Sequence, residues 1–399
     1  MCFSKTQILS ATGDIRPFSK EADGTVLGEG IGLVVLKRAD DAQRDGDRIY
    51  AVIKGLASSS DGRSQSIYAP VSDGQAKALR RAYAEADVDP TTVSLLEAHG
   101  TGTRVGDQVE FKSLCDVFGK TSPNGNRCAL GSVKSNIGHT KAAAGTAGLI
   151  KAALSIYHKV LPPTLKADPA DPKLGVDHSP FYLNTRLRPW LAHQDERRRA
   201  GVSAFGFGGS NFHAVLEEHT ERKLEPSWDG AVEIAAFSGG TENEVVHQIE
   251  AWRKEILKDT APYHIGKLAK QSRRQFQSSH GVRLTMVIDL YAGPERLASN
   301  CADAVKLLGG DKGTAGSRVY MGKGDPGGGV AFLFPGQGSQ YVGMGRDLIC
   351  CFPESLAAFG EASRCLAAEE SMDEYLYPRM TADPQMPESR LRRTQIAQP

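Results

Sequence analysis

The chain has 399 residues, 48 Lys plus Arg against 47 Asp plus Glu, and a formal net charge of +1. That length allows two or three domains, each with its own core, and the charge balance excludes a long-range field drawing nucleic acid or an anionic membrane. Seven cysteines, none in a metal-ligand spacing, read as reduced thiols of a cytoplasmic protein, and with no long apolar run or leader pattern the expectation is a chain neither secreted nor membrane-spanning.

In chain order, GTVLGEGIGLVVLKR (24–38) gives a glycine turn followed by the apolar run Ile31 to Leu36, which suits a strand buried on both faces. IYAVIKGLA (49–57) repeats that signal. GQAKALRRAYAEADVDP predicts an amphipathic helix with Ala76, Leu79, Ala82 and Tyr83 on one face and Pro90 beyond its end. VSLLEA predicts a strand running into His99, and CALGSVK (128–134) another. After SNIGH a long helix is expected from about Thr140 to Lys159, stopped by Pro162 and Pro163. RAGVSAFGFGGSNFHAVLEEH (199–219) reads as two strands joined by a glycine-rich turn. This alternation predicts an α/β layered domain ending near residue 219. TERKLEPSWDG reads as a linker. Residues 231–320 hold two strands, VEIAAFS and RLTMVIDL, around a polar helical pattern, enough for a small α/β unit with no evident site. GDPGGGVAFLFPGQGSQYVGMGRDL (324–348) predicts an apolar strand, a glycine-rich turn and a helix.

Two histidines stand out. His99, in EAHGTGTRVGD, follows a strand end that opens onto the crevice where α/β folds keep ligands. His139, in GSVKSNIGHTKAAAG, lies at a helix start, where the helix dipole disfavours the imidazolium. Two neutral N–H donors aimed at one point stabilise a developing oxyanion or enolate; satisfied core histidines are the alternative. GFGGSN (206–211) lets the backbone around Phe207 present N–H groups as an oxyanion hole requires, or else simply closes a tight hairpin. Lys134 is placed to pair with Glu110 or Asp107, as structural support or as chemistry. Zinc is not expected, because the histidines lack short ligand spacing. No GxSxG occurs, and the glycines of residues 24–32 precede a strand instead of a helix, so neither a serine hydrolase elbow nor a dinucleotide fingerprint is present.

EAHGTGT, VKSNIGH and GFGGSN, in this order and at these separations, resemble the second half of a β-ketoacyl synthase of the thiolase fold, over residues 1–219. AFLFPGQGSQYVGMG (331–345) resembles the start of a malonyl-transacylase-type acyltransferase, and LRRTQIAQP (391–399) a later helix of it. The resemblance implies a ketosynthase part (1–219), a linker (220–328) and an incomplete acyltransferase (329–399), the order of multidomain polyketide synthases. SSSDGRSQSIYAPVSDGQAKALRRAY and SPFYLNTRLRPW are most similar to synthases of polyunsaturated fatty acids.

The family's nucleophile is a cysteine in a motif like DTACSSS, which this sequence lacks; Cys2 lies in a segment similar to one well downstream of it. The resemblance therefore implies an interior piece of a synthase that condenses acyl thioesters with malonyl carrier protein by decarboxylative Claisen chemistry, itself inactive without its N-terminal ketosynthase half. An interaction module without turnover, or an inactive truncated product, is the alternative. Carried over by motif, His99 and His139 promote decarboxylation, Lys134 supports them with Glu110 as its carboxylate, and Thr101 and Thr103 bond the phosphopantetheine arm of an acyl carrier protein. Phe207 and Gln337 give backbone N–H groups to the two oxyanion holes. No cofactor is bound directly, and the parent synthase is expected to be a homodimer.

Overall fold

A computed structural model describes residues 5–62, 69–119, 128–192, 197–227, 231–310, 318–325, 327–329, 331–336, 338–365, 372–379 and 386–391. They fall into two compact units, Met1–Ser227 with Gly336–Pro399, and Trp228–Pro335.

The first unit runs α1 (Ala39–Asp45), β1 (Val52–Ser60), α2 (Ser72–Ala86), β2 (Leu95–Glu97), α3 (Arg104–Phe118), β3 (Cys128–Gly131), α4 (Lys134–Ile137), α5 (Ala144–His158), β4 (Val160–Leu161), β5 (Phe181–Leu183), β6 (Arg188–Pro189), β7 (Arg199–Gly206) and β8 (Ser210–Glu217). Six strands form one sheet in the order β1-β8-β7-β2-β3-β5. β1, β8 and β7 pair antiparallel, whereas β7, β2, β3 and β5 run parallel.

Side chains alternate across the pleat, so the sheet buries both faces. Leu95, Ala129, Ala200 and Leu216 meet Ala152 and Ile156 of α5 on one side. Leu96, Leu130 and Val215 meet Leu79, Ala82 and Tyr83 of α2 and Leu114 of α3 on the other. Each fully buried leucine contributes about 1.5–3 kcal/mol. α2 has the expected inward face and ends where Asp87 turns left-handed, three residues before Pro90. The helix expected from Thr140 opens with a 3-10 turn, Lys141–Ala143, before α5.

One strand expectation fails in part and two fail outright. IYAVIKGLA does form β1, but as a sheet edge with a bulge between Ile53 and Gly55, and it leaves Leu56 57% exposed instead of buried on both faces. Ile31 to Leu36 pairs with no strand among the described residues. Ile31, Leu33 and Val35 are 95%, 88% and 97% exposed. This segment passes so close to α5 that a Cβ on Gly32 would lie 2.6 Å from Thr146 Cγ2, so only its inner side is covered. The physical reason is that β1 and β5 form the sheet's two edges, and neither receives the run. AFLF likewise forms no strand, with Phe332, Leu333 and Phe334 exposed.

The second unit contains β9 (Val232–Gly239), α6 (Glu242–Ile256), α7 (Pro262–Gln275), β10 (Val282–Asp289), α8 (Pro294–Leu308) and β11 (Val319–Lys323). Its sheet is antiparallel in the order β11-β10-β9. Leu284, Met286 and Ile288 alternate inward on β10 and pack with Val245, Ile249, Leu297 and Ala304. The two expected strands are present, and β11 adds a third.

The later helices, α9 (Arg346–Cys351), α10 (Pro353–Cys365), α11 (Met372–Leu376) and α12 (Met386–Leu391), belong to the first unit. There Lys223 Nζ donates to the Cys350 carbonyl at 2.8 Å and Ser227 N–H to that of Cys351 at 2.7 Å. No described helix is long and apolar enough to cross a membrane.

Candidate active site

β2 delivers the chain to His99 at the carboxyl end of the parallel strands. Beyond it the backbone must be held without a ladder. Glu110, buried on α3, accepts His99 N–H at 2.7 Å on one oxygen and Gly100 N–H at 2.8 Å on the other. Asp107, one turn earlier, accepts Phe18 N–H at 2.7 Å and Gly102 N–H at 3.2 Å. These two acids satisfy four backbone donors that burial leaves without water. Burial raises both carboxyls to about 7, against the pull of those N–H groups.

His139 follows the left-handed Gly138 that ends α4. Its own N–H donates to the Val26 carbonyl at 2.7 Å, and its carbonyl accepts Gly28 N–H at 3.0 Å, which ties the loop to residues 26–28. The rings of His99 and His139 stand 5.4 Å apart at 83°.

Backbone donors set both tautomers. Phe205 N–H, on β7, donates to His99 Nδ1 at 3.3 Å, and Lys141 N–H donates to His139 Nδ1 at 3.0 Å. With each Nδ1 accepting, the proton of each neutral ring sits on Nε2. Burial, then Lys134 and then His139 push His99 well below the usual histidine range. Burial, then Lys134 and Lys141 bring His139 down to about 4. The neutral His139 foreseen from a helix start is therefore neutral chiefly through burial and two lysines, since α5 begins only at Ala144.

Lys134 is buried, but no ion pair joins it to Glu110 or Asp107 among the described residues, which corrects the expected pairing. Both oxygens of Glu110 are already spent on backbone N–H groups. Burial lowers Lys134 from the ordinary lysine value, while Glu97, Glu110 and Asp107, in that order, support its charge. Glu97 and Lys151, 2.8 Å apart, form the ion pair that is present. Sequence reasoning singles out neither, although each is an isolated charge in an apolar run, VSLLEA and AGLIKAALS.

GFGGSN closes the hairpin between β7 and β8, with Gly208 and Gly209 at φ +86° and +79°. Asp61 latches this turn. Its N–H donates to the Gly209 carbonyl at 2.9 Å, and its carboxylate accepts Asn211 Nδ2–H at 2.6 Å. The turn therefore closes a hairpin and also borders a cleft of about 1220 Å³, lined by His99, His139, Thr101, Thr103 and Phe207 among others. Thr101 and Thr103 hold their hydroxyl oxygens 2.9 Å apart there. Gln337 and Cys2 lie outside the described residues. No cysteine lines the cleft among the described residues, and among them no cluster of His, Cys, Asp or Glu could hold a metal.

Comparison with known proteins agrees with this geometry. Residues 50–168 match the β-ketoacyl synthase C-terminal domain, 171–286 the ketoacyl-synthetase C-terminal extension, and 1–42 the β-ketoacyl synthase N-terminal domain. A polyunsaturated fatty acid synthase polypeptide of Thraustochytrium sp. is 37% identical over 95% of this chain and 14% of its own length. A mycocerosic acid synthase-like polyketide synthase of Mycolicibacterium smegmatis is 38% identical over 92% and 17%. Among solved structures, the oxazolomycin ketosynthase domain from Streptomyces albus superposes with a TM-score of 0.53 at 32% identity, covering 81% of this chain and 54% of that one. The module 6 ketosynthase of the bacillaene synthase from Bacillus subtilis gives 0.52 at 32%, with the same coverage. The chain thus spans 14% and 17% of those two synthases and about half of each ketosynthase structure. The matches and the paired histidine loops place the chain in the β-ketoacyl synthase family, with the thiolase-like α/β ketosynthase fold and homology to polyunsaturated fatty acid and polyketide synthases.

Proposed function

We propose that the chain supplies the decarboxylating wall of a ketosynthase site within a polyketide or polyunsaturated fatty acid synthase. The observation that carries this reading is the tautomer of the two histidines. Both Nδ1 atoms are occupied by backbone donors, so two Nε2–H groups remain as donors in one cleft.

The substrate is a malonyl thioester on the phosphopantetheine of an acyl carrier protein, its arm bonded by Thr101 and Thr103. The bond to the malonyl carboxylate breaks, carbon dioxide leaves, and the electron pair passes into the thioester enolate. His99 and His139 hold the enolate oxygen. The enolate carbon then attacks an acyl group carried on a cysteine; the carbonyl oxygen takes up charge against Phe207 N–H, and the cysteine thiolate departs. Lys134 adds to burial in keeping both rings neutral.

In this reading the cysteine sits on the first half of the ketosynthase, outside residues 1–399, and the chain alone turns nothing over. The exposed Ile31–Leu36 run supports such a partner. Residues 220–328 are the linker to an acyltransferase beginning near residue 329, where Gln337 supplies an oxyanion donor. The parent synthase is a cytoplasmic homodimer.

In a synthase assembled with that first half, His99→Ala and His139→Ala should each slow malonyl decarboxylation by about 10² to 10³ while leaving acyl loading of the cysteine in place. A parallel fall in loading would overturn the assigned roles. Stoichiometric acylation of one cysteine in the chain alone, read by intact mass, would show that the nucleophile has been misplaced.

A further inference from the structure

Glu97 is the last residue of β2, fully enclosed between the sheet and α5. A Cβ on Gly148 would come within 3.1 Å of its Cγ. One carboxylate oxygen accepts the N–H of Val133 at 2.5 Å, and Val133 is the residue from which α4 starts. The other takes Lys151 Nζ at 2.8 Å. A single buried side chain therefore fixes the turn that presents Lys134 and ties it to α5.

Stability alone does not account for this arrangement. Burying an ion pair costs desolvation that its attraction barely offsets, and apolar residues of the same volume commonly serve as well or better. The position of the pair is what distinguishes it. Lys134 is faced by Glu97 from β2, by Asp107 and Glu110 from α3, by Lys151 from α5, and by the two histidine rings. Asp107 and Glu110 have all four oxygens engaged by backbone N–H groups. Glu97 is the acid with its own cation, the part-buried Lys151.

We infer that Glu97, balanced by Lys151, is a positioning residue for Lys134: it seats the turn from which Lys134 projects and holds its own carboxylate against that turn. Of the charges around Lys134, that of Glu97 supports it most and that of Lys151 opposes it. Burial first, and Lys134 next, hold both rings neutral. Glu97 acts on the rings only through this lysine and touches no reacting atom. The role rests on the decarboxylation reading for its purpose, but not for its test.

The test is the titration of Lys134 in the full chain, followed by the ¹³Cε resonance of labelled lysine and assigned with Lys134→Arg. Glu97→Gln keeps an oxygen for Val133 N–H and removes the charge, so the Lys134 midpoint should fall by about one unit or more. Glu97→Gln with Lys151→Met also removes the opposing cation, so neither member of the ion pair is left without the other. It should fold even where the single variant does not, and its midpoint should fall by less. A midpoint unmoved in the double variant and in any folded single variant would overturn the proposal, because a merely structural carboxylate predicts no shift. In the assembled synthase the alkaline limb of malonyl decarboxylation should move down with the midpoint. If the midpoint moves and the rate profile does not, the decarboxylation role of Lys134 fails while the role of Glu97 stands.

Discussion

The loop after β2 and the segment from Ile31 to Leu36 both cross the same unit, yet they are held in opposite ways. The histidine loop is irregular backbone, and its buried polar groups find partners inside the chain. Glu110 and Asp107 take four N–H groups, and Ala98 N–H donates to the Gly131 carbonyl at 2.8 Å. The Ile31 segment has a sequence made for regular structure and forms none, with three large side chains almost fully in solvent. A loop can carry its own side-chain partners with it. A strand cannot, because its ladder must come from another strand.

The largest way to break the ordered side of that contrast is Glu110→Ala. It leaves the N–H groups of His99 and Gly100 buried and unpaired, at about 1–3 kcal/mol each. Denaturant unfolding of the chain should show a loss of about 2–6 kcal/mol, with Glu110→Gln between that and wild type because its amide retains one acceptor oxygen. A loss under about 1 kcal/mol would mean that the loop is held by something other than Glu110.

This contrast also separates what is legible in the sequence from what is not. His99, His139 and the hairpin at Phe207 are legible because each depends on a short local pattern, a histidine after an apolar strand or glycines that permit positive φ. Glu110 is recognisable as a partner, but the sequence assigns it to Lys134. A residue type does not reveal which way its oxygens point, and here they point at backbone. Glu97 and Lys151 escape notice because single charges in apolar runs look like tolerated exceptions until the fold brings the two together across 54 positions. The run from Ile31 to Leu36 is apolar as read but unpaired, since hydrophobic patterning describes a strand's faces and says nothing of its edges. β11 escapes for the related reason that RVYMGK is short and half-exposed.

A smaller effect sharpens the comparison through pH. His99, His139 and His213 all have lowered values, His139 to about 4 and His213, buried beside the Ser203 hydroxyl, to about 3. They stay neutral in the folded chain while the unfolded chain takes up protons below about 6.5, so their contribution is present above that pH and is lost as pH falls. Asp107 and Glu110, raised to about 7, behave in the opposite sense. Protonated in the folded chain and ionised in the unfolded chain above about 4.5, they contribute stability at acid pH that is lost as pH rises toward 7. His158 is lowered too, burial being the main cause, so four histidines oppose two carboxyls below about 6.5, and of these groups only the carboxyls titrate above it. Stability should therefore climb gently to a maximum near pH 6.5 and decline toward 7, at no more than about 1.4 kcal/mol per unit for each group. A thermal unfolding series from pH 5 to pH 8 that rose without a maximum would mean that the two carboxyls are ionised throughout.

The smallest effect on the chain itself belongs to the unpaired side. Ile31→Asp and Val35→Asp place charges where side chains already face water, and Gly30 and Gly32, which lie against Thr140 and Thr146, are untouched. Each change should leave the stability of the isolated chain within about 0.5 kcal/mol of wild type. The same substitutions should abolish association with a polypeptide carrying the first ketosynthase half, because a buried, unpaired carboxylate at a strand position costs several kcal/mol. Val34→Asp is the opposite control, since Val34 is the half-covered residue of the run and its loss should lower the stability of the isolated chain. Chemical unfolding and co-purification of the three variants read both halves of the expectation. Destabilisation by Ile31→Asp comparable to that of Val34→Asp would show that the outer face of the segment is already covered within this chain, and the contrast with the histidine loop would disappear.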